Sequence, residues 1–215
     1  MQTAIFDLDG TLIDSMGVWA SAPALTLERL GLEPTGEESE IFRVRGYRNT
    51  AIWMVEHYGL DMDYHLVMKM MDESVIPAYE NGIALISGVR EYLTKLKEKG
   101  IRTCVFTANN RNLLDLAVQN NDLENLFDGL WTATEFNMYK SDPRVFSMLC
   151  SKMGVKESSC ILFEDSSYSV ETAGRVGIRS VGILSNDRDS ENERLRNMCM
   201  RCITSFAELM KEDVF

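Results

Sequence analysis

The sequence predicts an α/β protein, a doubly wound parallel sheet with a small helical domain inserted into it. Three observations predict this. Short apolar runs recur at residues 4–6, 103–106, 160–163 and 181–184, with a weaker one at 130–132, as expected of strands buried on both faces. Stretches of helical periodicity separate most of them, and strands alternating with helices build parallel sheets. From about Gly17 to Tyr79 that rhythm stops, and helical patterns follow one another with no strand between them.

In chain order, the first strand leads into the helical insertion. Leu25, Leu27 and Leu30 belong to one helix, and Ile52, Met54, Val55 and Tyr58 to a second. A third runs from about residue 64 to 79 through Leu66, Val67, Met70 and Met71. The expected division is residues 1–16 and 82–215 for the sheet domain and 17–81 for the helical one, with Gly17, Gly82 and Gly88 as hinge positions. Met54, Met62, Met68, Met70 and Met71 are expected to fill the core or a sliding face of the helical domain. Back in the sheet domain, Val89, Tyr92, Leu93 and Leu96 share one helix face, which Gly100 ends. Asp142-Pro143 reads as the cap and first-turn proline of a helix through about Met153.

Composition narrows the function classes. The chain has 215 residues and a formal net charge of −11, which argues against a nucleic-acid partner, since such binding wants a basic face. That field would repel an anionic substrate, so a cation and local Lys or Arg residues must reverse it within a site. Two histidines leave little material for His-based metal sites or Ser-His-Asp triads. Five cysteines, an odd number without a secretory leader before them, are expected to be reduced, with Cys199 and Cys202 simply packing near the C-terminus. No apolar run spans a bilayer, and the expected location is cytoplasmic.

The chemistry gathers after the strands. Asp7-Leu8-Asp9-Gly10-Thr11 follows the first, where ligands of open α/β sheets bind; Gly10 permits a turn that lets both acids reach one centre. Thr107-Ala108-Asn109 ends the second, offering a hydroxyl and successive N–H groups ahead of a helix, a pattern suited to phosphate oxygens. Lys140 lies in the loop after 130–132. The 160–163 strand runs into Glu164-Asp165-Ser166-Ser167, acids for which a hard cation is a natural partner. Taken singly, each of these segments also reads as an ordinary turn, cap or surface residue. Four polar clusters at four successive strand ends do not.

These residues resemble, over essentially the whole chain and in order, the four motifs of the haloacid dehalogenase superfamily, in the branch whose helical cap follows the first motif. The β-phosphoglucomutase-like phosphatases and mutases are especially similar. Asp7 through Leu12 match the first motif, Thr107-Ala108-Asn109 the second, Lys140 with Asp142-Pro143 the third, and Phe163-Glu164-Asp165-Ser166 the fourth. Gly88-Val89, Ser205-Phe206 and Glu208-Leu209 also fit.

The resemblance implies a Rossmann-like core and a Mg²⁺-dependent phosphoryl-transfer enzyme. Asp7 would be the nucleophile that forms an aspartyl-phosphate, and Asp9 the acid and base. Thr107, Ala108 and Asn109 would hold the phosphoryl group, and Lys140 would neutralise charge. Asp7, Asp9 through its carbonyl, and Asp165 would bind Mg²⁺, with Glu164 the extra acid near it.

Two departures stand out: Tyr139 and Ser141 flank Lys140 where glycine and proline are common, and Ser169 replaces a further acid. Arg43, Arg45 and Arg48 around Gly46-Tyr47 sit where related caps present a substrate-binding loop. A solvated helix face is the competing reading of each, and Arg45 and Arg48 are the expected substrate ligands. The implied activity is phosphatase action on a small phosphorylated metabolite such as a sugar phosphate, by a monomer or weak dimer without nucleic-acid or membrane partners. The alternatives are a phosphomutase and, further off, a non-catalytic binding protein.

Overall fold

β1 (Thr3–Phe6) has every residue buried, because it lies in the middle of the sheet. The computed structural model describes residues 2–186, 188–211 and 214–215, apart from the side chains of Glu40, Arg43 and Val44. After β1 come four helices: α1 (Met16–Arg29), α2 (Gly36–Arg45), α3 (Tyr47–Tyr58) and α4 (Tyr64–Glu80). Then follow α5 (Val89–Glu98), β2 (Arg102–Thr107), α6 (Arg111–Asn120), β3 (Gly129–Thr132), α7 (Pro143–Met153) and β4 (Cys160–Glu164). The chain continues through α8 (Ser167–Gly174), β5 (Arg179–Ile183), α9 (Asp189–Met198) and β6 (Arg201–Ile203). The six strands form one sheet of order β3-β2-β1-β4-β5-β6, parallel throughout. The order reverses at β1, and such a switch point opens a crevice beyond the strand ends.

Contacts divide the chain into two compact units, Met1–Asp14 with Gly82–Phe215, and Ser15–Asn81. In the first, successive strand residues face opposite sides of the sheet. Ile5, Cys104, Phe106, Cys160 and Leu162 pack with Val145, Phe146 and Leu149 of α7. On the alternate register, Phe6 stacks on Phe163 at 4.6 Å between centroids, and Tyr92 of α5 and Phe206 close around them. Gly88 (φ 81°) starts α5. A Cβ there would lie 2.4 Å from the Ala207 nitrogen, so only glycine lets the C-terminal segment approach, where the Phe206 N–H donates to the Ser87 carbonyl at 2.9 Å.

The second unit holds α1 to α4. Ala22, Leu27, Ala51, Met54, Val67, Met71, Val75 and Tyr79 form its interior, while Met62, Met68 and Met70 are half-buried. Three helices of this unit were legible in the sequence; α2 was not. Its residues are Glu-rich, and what starts it is a capping box in which Thr35 accepts from the Glu38 N–H and Glu38 accepts from the Thr35 N–H. Gly17 is the second residue of α1 rather than a link before it, because the helix already begins at Met16 behind Ser15. The left-handed backbone at the other junction falls on Gly82, with φ 87°.

No disulfide joins the cysteines, and Cys104, Cys150 and Cys160 are buried. Cys202 lies in β6, a strand the sequence did not announce. A Cβ on its partner Gly182 would meet the sulfurs of Cys202 and Cys199 at 3.0 and 3.1 Å. The pair packs against that bare backbone. Among the described residues no helix is long and apolar enough to cross a membrane.

Candidate active site

Three adjacent strands end together. Phe6 is in register with Val105 of β2 and Phe163 of β4, so the residues that follow them, Asp7, Phe106-Thr107 and Glu164-Asp165, emerge side by side. The Asp7 N–H still donates to the Phe163 carbonyl at 3.0 Å. Beyond it the chain turns at Gly10 (φ 73°). The Leu8 carbonyl accepts from Leu12 and Ile13 at 2.9 and 3.1 Å, and the Gly10 N–H donates to the Ile13 carbonyl. That tight loop, with Thr11 and Leu12 fully buried, fixes Asp7 and Asp9 at the crevice.

Lys140 is the electrostatic centre of the site. Its ammonium, 2% exposed, donates at 2.7 Å to Asp7 Oδ1 and at 2.7 Å to Glu164 Oε2, and stands 5.6 Å from the Phe106 ring centroid. Burial opposes its charge, but Asp7 and Glu164 outweigh burial and raise its pKa. Asp7 is itself held well above the ordinary carboxylate range, by burial first and Glu164 second, against the pull of Lys140. Asp165 is pushed up to about 7 by burial and Glu164, against Arg188.

Carboxylate oxygens of Asp7, Glu164 and Asp165, all buried, lie within 4.8 Å of one another. This all-oxygen donor set fits a hard divalent cation such as Mg²⁺, which would favour the ionised forms of Asp7 and Asp165. Glu164, like Asp165, is engaged at both carboxylate oxygens. One of its oxygens accepts from Lys140, and the other accepts from the Ser166 N–H at 3.2 Å. Its clearest contribution is to hold Lys140 in place. Ser169, standing where an acid is common, is fully buried in α8 with no hydrogen-bond partner for its hydroxyl.

The second strand end departs from the sequence reading in one respect. Thr107 is buried and its Oγ1 accepts from the Asn109 N–H at 3.0 Å, so that amide is engaged within the loop. Ala108 is exposed. Asn110, not Thr107, caps α6 by accepting from the Leu113 N–H. The Asn109 side chain donates to Asp9 Oδ2 at 3.0 Å, tying the second strand end to the first.

Two residues near the cluster escaped the sequence reading. Arg188, at the cap of α9, makes an ion pair through Nη1 with Asp165 Oδ2. Tyr168 is 48% exposed, yet it lies in the field of Lys140, Glu164, Asp7 and Asp165, and burial pushes its hydroxyl up to about 12. In the helical unit Arg45 lies over the Trp53 ring, and Arg48 donates to the Tyr64 hydroxyl at 2.9 Å; both are exposed. The side chain of Arg43 lies outside the described residues.

Residues 4–183 match the family described as haloacid dehalogenase-like hydrolase. Hexitol phosphatase B of Escherichia coli K12 is 25% identical over 214 residues, covering 98% of this chain and 95% of that protein. Among solved structures, a HAD hydrolase of family IA, variant 3, from Entamoeba histolytica superposes with a TM-score of 0.80 at 23% identity, covering 98% and 96% of the two chains. CbbY from Rhodobacter sphaeroides, solved in complex with phosphate, superposes with a TM-score of 0.77 at 21% identity, covering 98% and 97%. With the family matched over most of its length and the fold shared end to end, this chain belongs to the haloacid dehalogenase-like hydrolases.

Proposed function

We propose that this hydrolase is a phosphoric monoester phosphatase for a small phosphorylated metabolite of the sugar-phosphate class, working through an aspartyl-phosphate on Asp7. The observation that carries the reading is the buried Lys140 bound to both Asp7 and Glu164 beside Asp165. Structural ion pairs are rarely built from three buried carboxylates sharing two cations, because the desolvation cost is high. A phosphoryl-transfer site needs such a cluster, to balance a nucleophilic carboxylate, a cation and the incoming phosphate. The full-length likeness to hexitol phosphatase B supports the substrate class.

In the proposed mechanism Asp7, oriented by Lys140, attacks phosphorus, and the ester oxygen leaves with a proton from Asp9. The Asn109 amide orients Asp9 for that transfer. Thr107 has used an oxygen lone pair on the Asn109 N–H, so its O–H can be turned to a phosphoryl oxygen. Asp9 then takes a proton from water, which attacks the aspartyl-phosphate and releases inorganic phosphate. Dividing the displacement in this way replaces one difficult step by two easier ones. Mg²⁺ would be held by Asp7, Asp165 and the Asp9 carbonyl, and would supply charge neutralisation for the transferred oxygens. An acid at Asp9 has no use in carbon–halogen cleavage, which argues against dehalogenation.

The test is a screen of phosphorylated metabolites with Mg²⁺ that reads phosphate and isomers together. Phosphate release from one or a few sugar or sugar-alcohol phosphates is expected. Isomer formation without net phosphate release would replace the phosphatase by a phosphomutase.

Asp9→Asn should lower kcat on alkyl phosphates by about 10²–10⁴-fold, the usual span of general acid–base catalysis. On a nitrophenyl phosphate, whose leaving group needs little protonation, the loss in the phosphorylation step should be at least tenfold smaller. Equal losses in single-turnover phosphorylation of both would remove Asp9 as the acid.

Arg48 and Arg45 are proposed to recognise the part of the substrate remote from the phosphate. Arg48→Ala should cut kcat/KM for the best metabolite by about 30-fold or more, the scale of a lost charged hydrogen bond of about 2–3 kcal/mol. Turnover of acetyl phosphate should change less than threefold. Parallel changes on both substrates would move recognition elsewhere.

A further inference from the structure

We propose that Arg188 is a built-in competitor for the divalent-cation site: its guanidinium holds the Asp165 carboxylate and sets the Mg²⁺ concentration at which the site fills. The inference rests on the reading of Asp7, Glu164 and Asp165 as the cation-binding cluster. Lys140 serves Asp7 and Glu164 at 2.7 Å each, so Asp165 is the carboxylate of the three that Lys140 leaves to another cation. Arg188 takes it through Oδ2, while Oδ1 accepts from the Ser166 hydroxyl at 3.1 Å.

Charge balance makes the two cations alternatives. With all three carboxylates ionised, as the cation-bound site requires, Lys140 and Arg188 leave one negative charge in excess. Lys140 with a divalent ion balances the three acids completely, and Arg188 is then surplus beside a dication in a site that screens poorly. The route out exists, because the Arg188 side chain is 28% exposed whereas those of Asp165 and Lys140 are 6% and 2% exposed. A guanidinium is also weakly hydrated and forms directional bonds to carboxylates, so it is an effective occupant of Asp165 rather than a passive neighbour. Any state in which Arg188 holds the carboxylate lowers the fraction competent for the ion, and apparent affinity falls by that fraction.

The experiment is a Mg²⁺ titration by calorimetry of wild type, Arg188→Gln and Arg194→Gln, with no substrate present. Arg194 lies on the same helix, is 70% exposed and pairs only distantly with Glu191 at 3.9 Å, so its substitution reproduces the charge change without the contact. Arg188→Gln should bind Mg²⁺ about tenfold more tightly than wild type, equivalent to about 1.4 kcal/mol, and Arg194→Gln within twofold of it. Unchanged or weaker binding in Arg188→Gln overturns the proposal, and so does an equal gain in Arg194→Gln, which would be a general field effect. Absence of Mg²⁺ binding in wild type as well as the variants would instead overturn the reading of the cluster itself.

Should Arg188→Gln not fold, wild type still decides the matter through the Nε–Hε NMR signal of Arg188, assigned by its loss in Arg188→Lys. That signal should shift as Mg²⁺ saturates and the guanidinium leaves Asp165. A signal unmoved by saturating Mg²⁺ overturns the proposal.

Discussion

Asp7→Asn is expected to lower kcat by at least about three powers of ten, or about 4 kcal/mol of barrier, on every phosphate ester tested. The amide is nearly the same shape, but it cannot displace an alkoxide from phosphorus, and its loss is not offset by better binding. The fold should survive. Burial is the largest cause of the raised pKa of Asp7, so the folded state loses stability as pH rises from the unfolded carboxylate value through the raised folded one, and removing the charge relieves the cost. Lys140 keeps Glu164 as a partner at 2.7 Å. Melting temperature in a chelator should therefore be equal to wild type or higher. Activity within tenfold of wild type, in a preparation free of contaminating phosphatase, contradicts the assignment.

Lys140→Ala has the opposite signature, because it damages stability and chemistry together. It leaves Asp7 and Glu164 buried without their shared cation, and removing one partner of a buried pair costs about 3–5 kcal/mol. With each kcal/mol worth about 2–4 °C in a chain of this size, the melting temperature should fall by about 6–20 °C. The fall should be larger in chelator than in excess Mg²⁺, which would supply part of the missing charge. At saturating Mg²⁺ and a temperature where the variant is folded, kcat should still drop by about 10²–10³-fold, the scale seen when one preorganised donor is lost from a charged transition state. A variant as stable as wild type would show that Lys140 is not the centre of the cluster.

Much of the fold is legible in the sequence. The strands at 4–6, 103–106 and 160–163 lie at the middle of a parallel sheet with both faces covered, and such strands read as unbroken apolar runs. Acids and hydroxyls directly after them therefore stood out. β6 did not, because Arg201 and Cys202 in a three-residue edge strand carry no such run. α2 has a single short apolar cluster, Ile41-Phe42 with Val44, too brief to show a helical period, although Thr35 with Glu38 three residues later was a readable start signal.

The site followed the same division. Residue types placed Asp7, Lys140, Glu164 and Asp165 at strand ends, but not which groups they would hold. Glu164 grips Lys140, and Asn109 turns to Asp9, through contacts that join distant parts of the chain. Arg188 follows β5, and the rule used for the other strand ends would have pointed there, since Ser185-Asn186-Asp187-Arg188 is equally polar. A lone arginine in a polar loop reads as surface unless its partner is known.

Covalent catalysis by Asp7 leaves a phosphorylated protein that can be trapped. Wild-type enzyme mixed with a ³²P-labelled substrate and Mg²⁺, then quenched in acid within one turnover, should carry label in a peptide containing residue 7. Hydroxylamine should release that label, as it does from an acyl phosphate, and Asp7→Asn should carry none. Rapid single-turnover hydrolysis with no protein-bound label at any time, or label on a residue other than Asp7, would rule out Asp7 as the nucleophile.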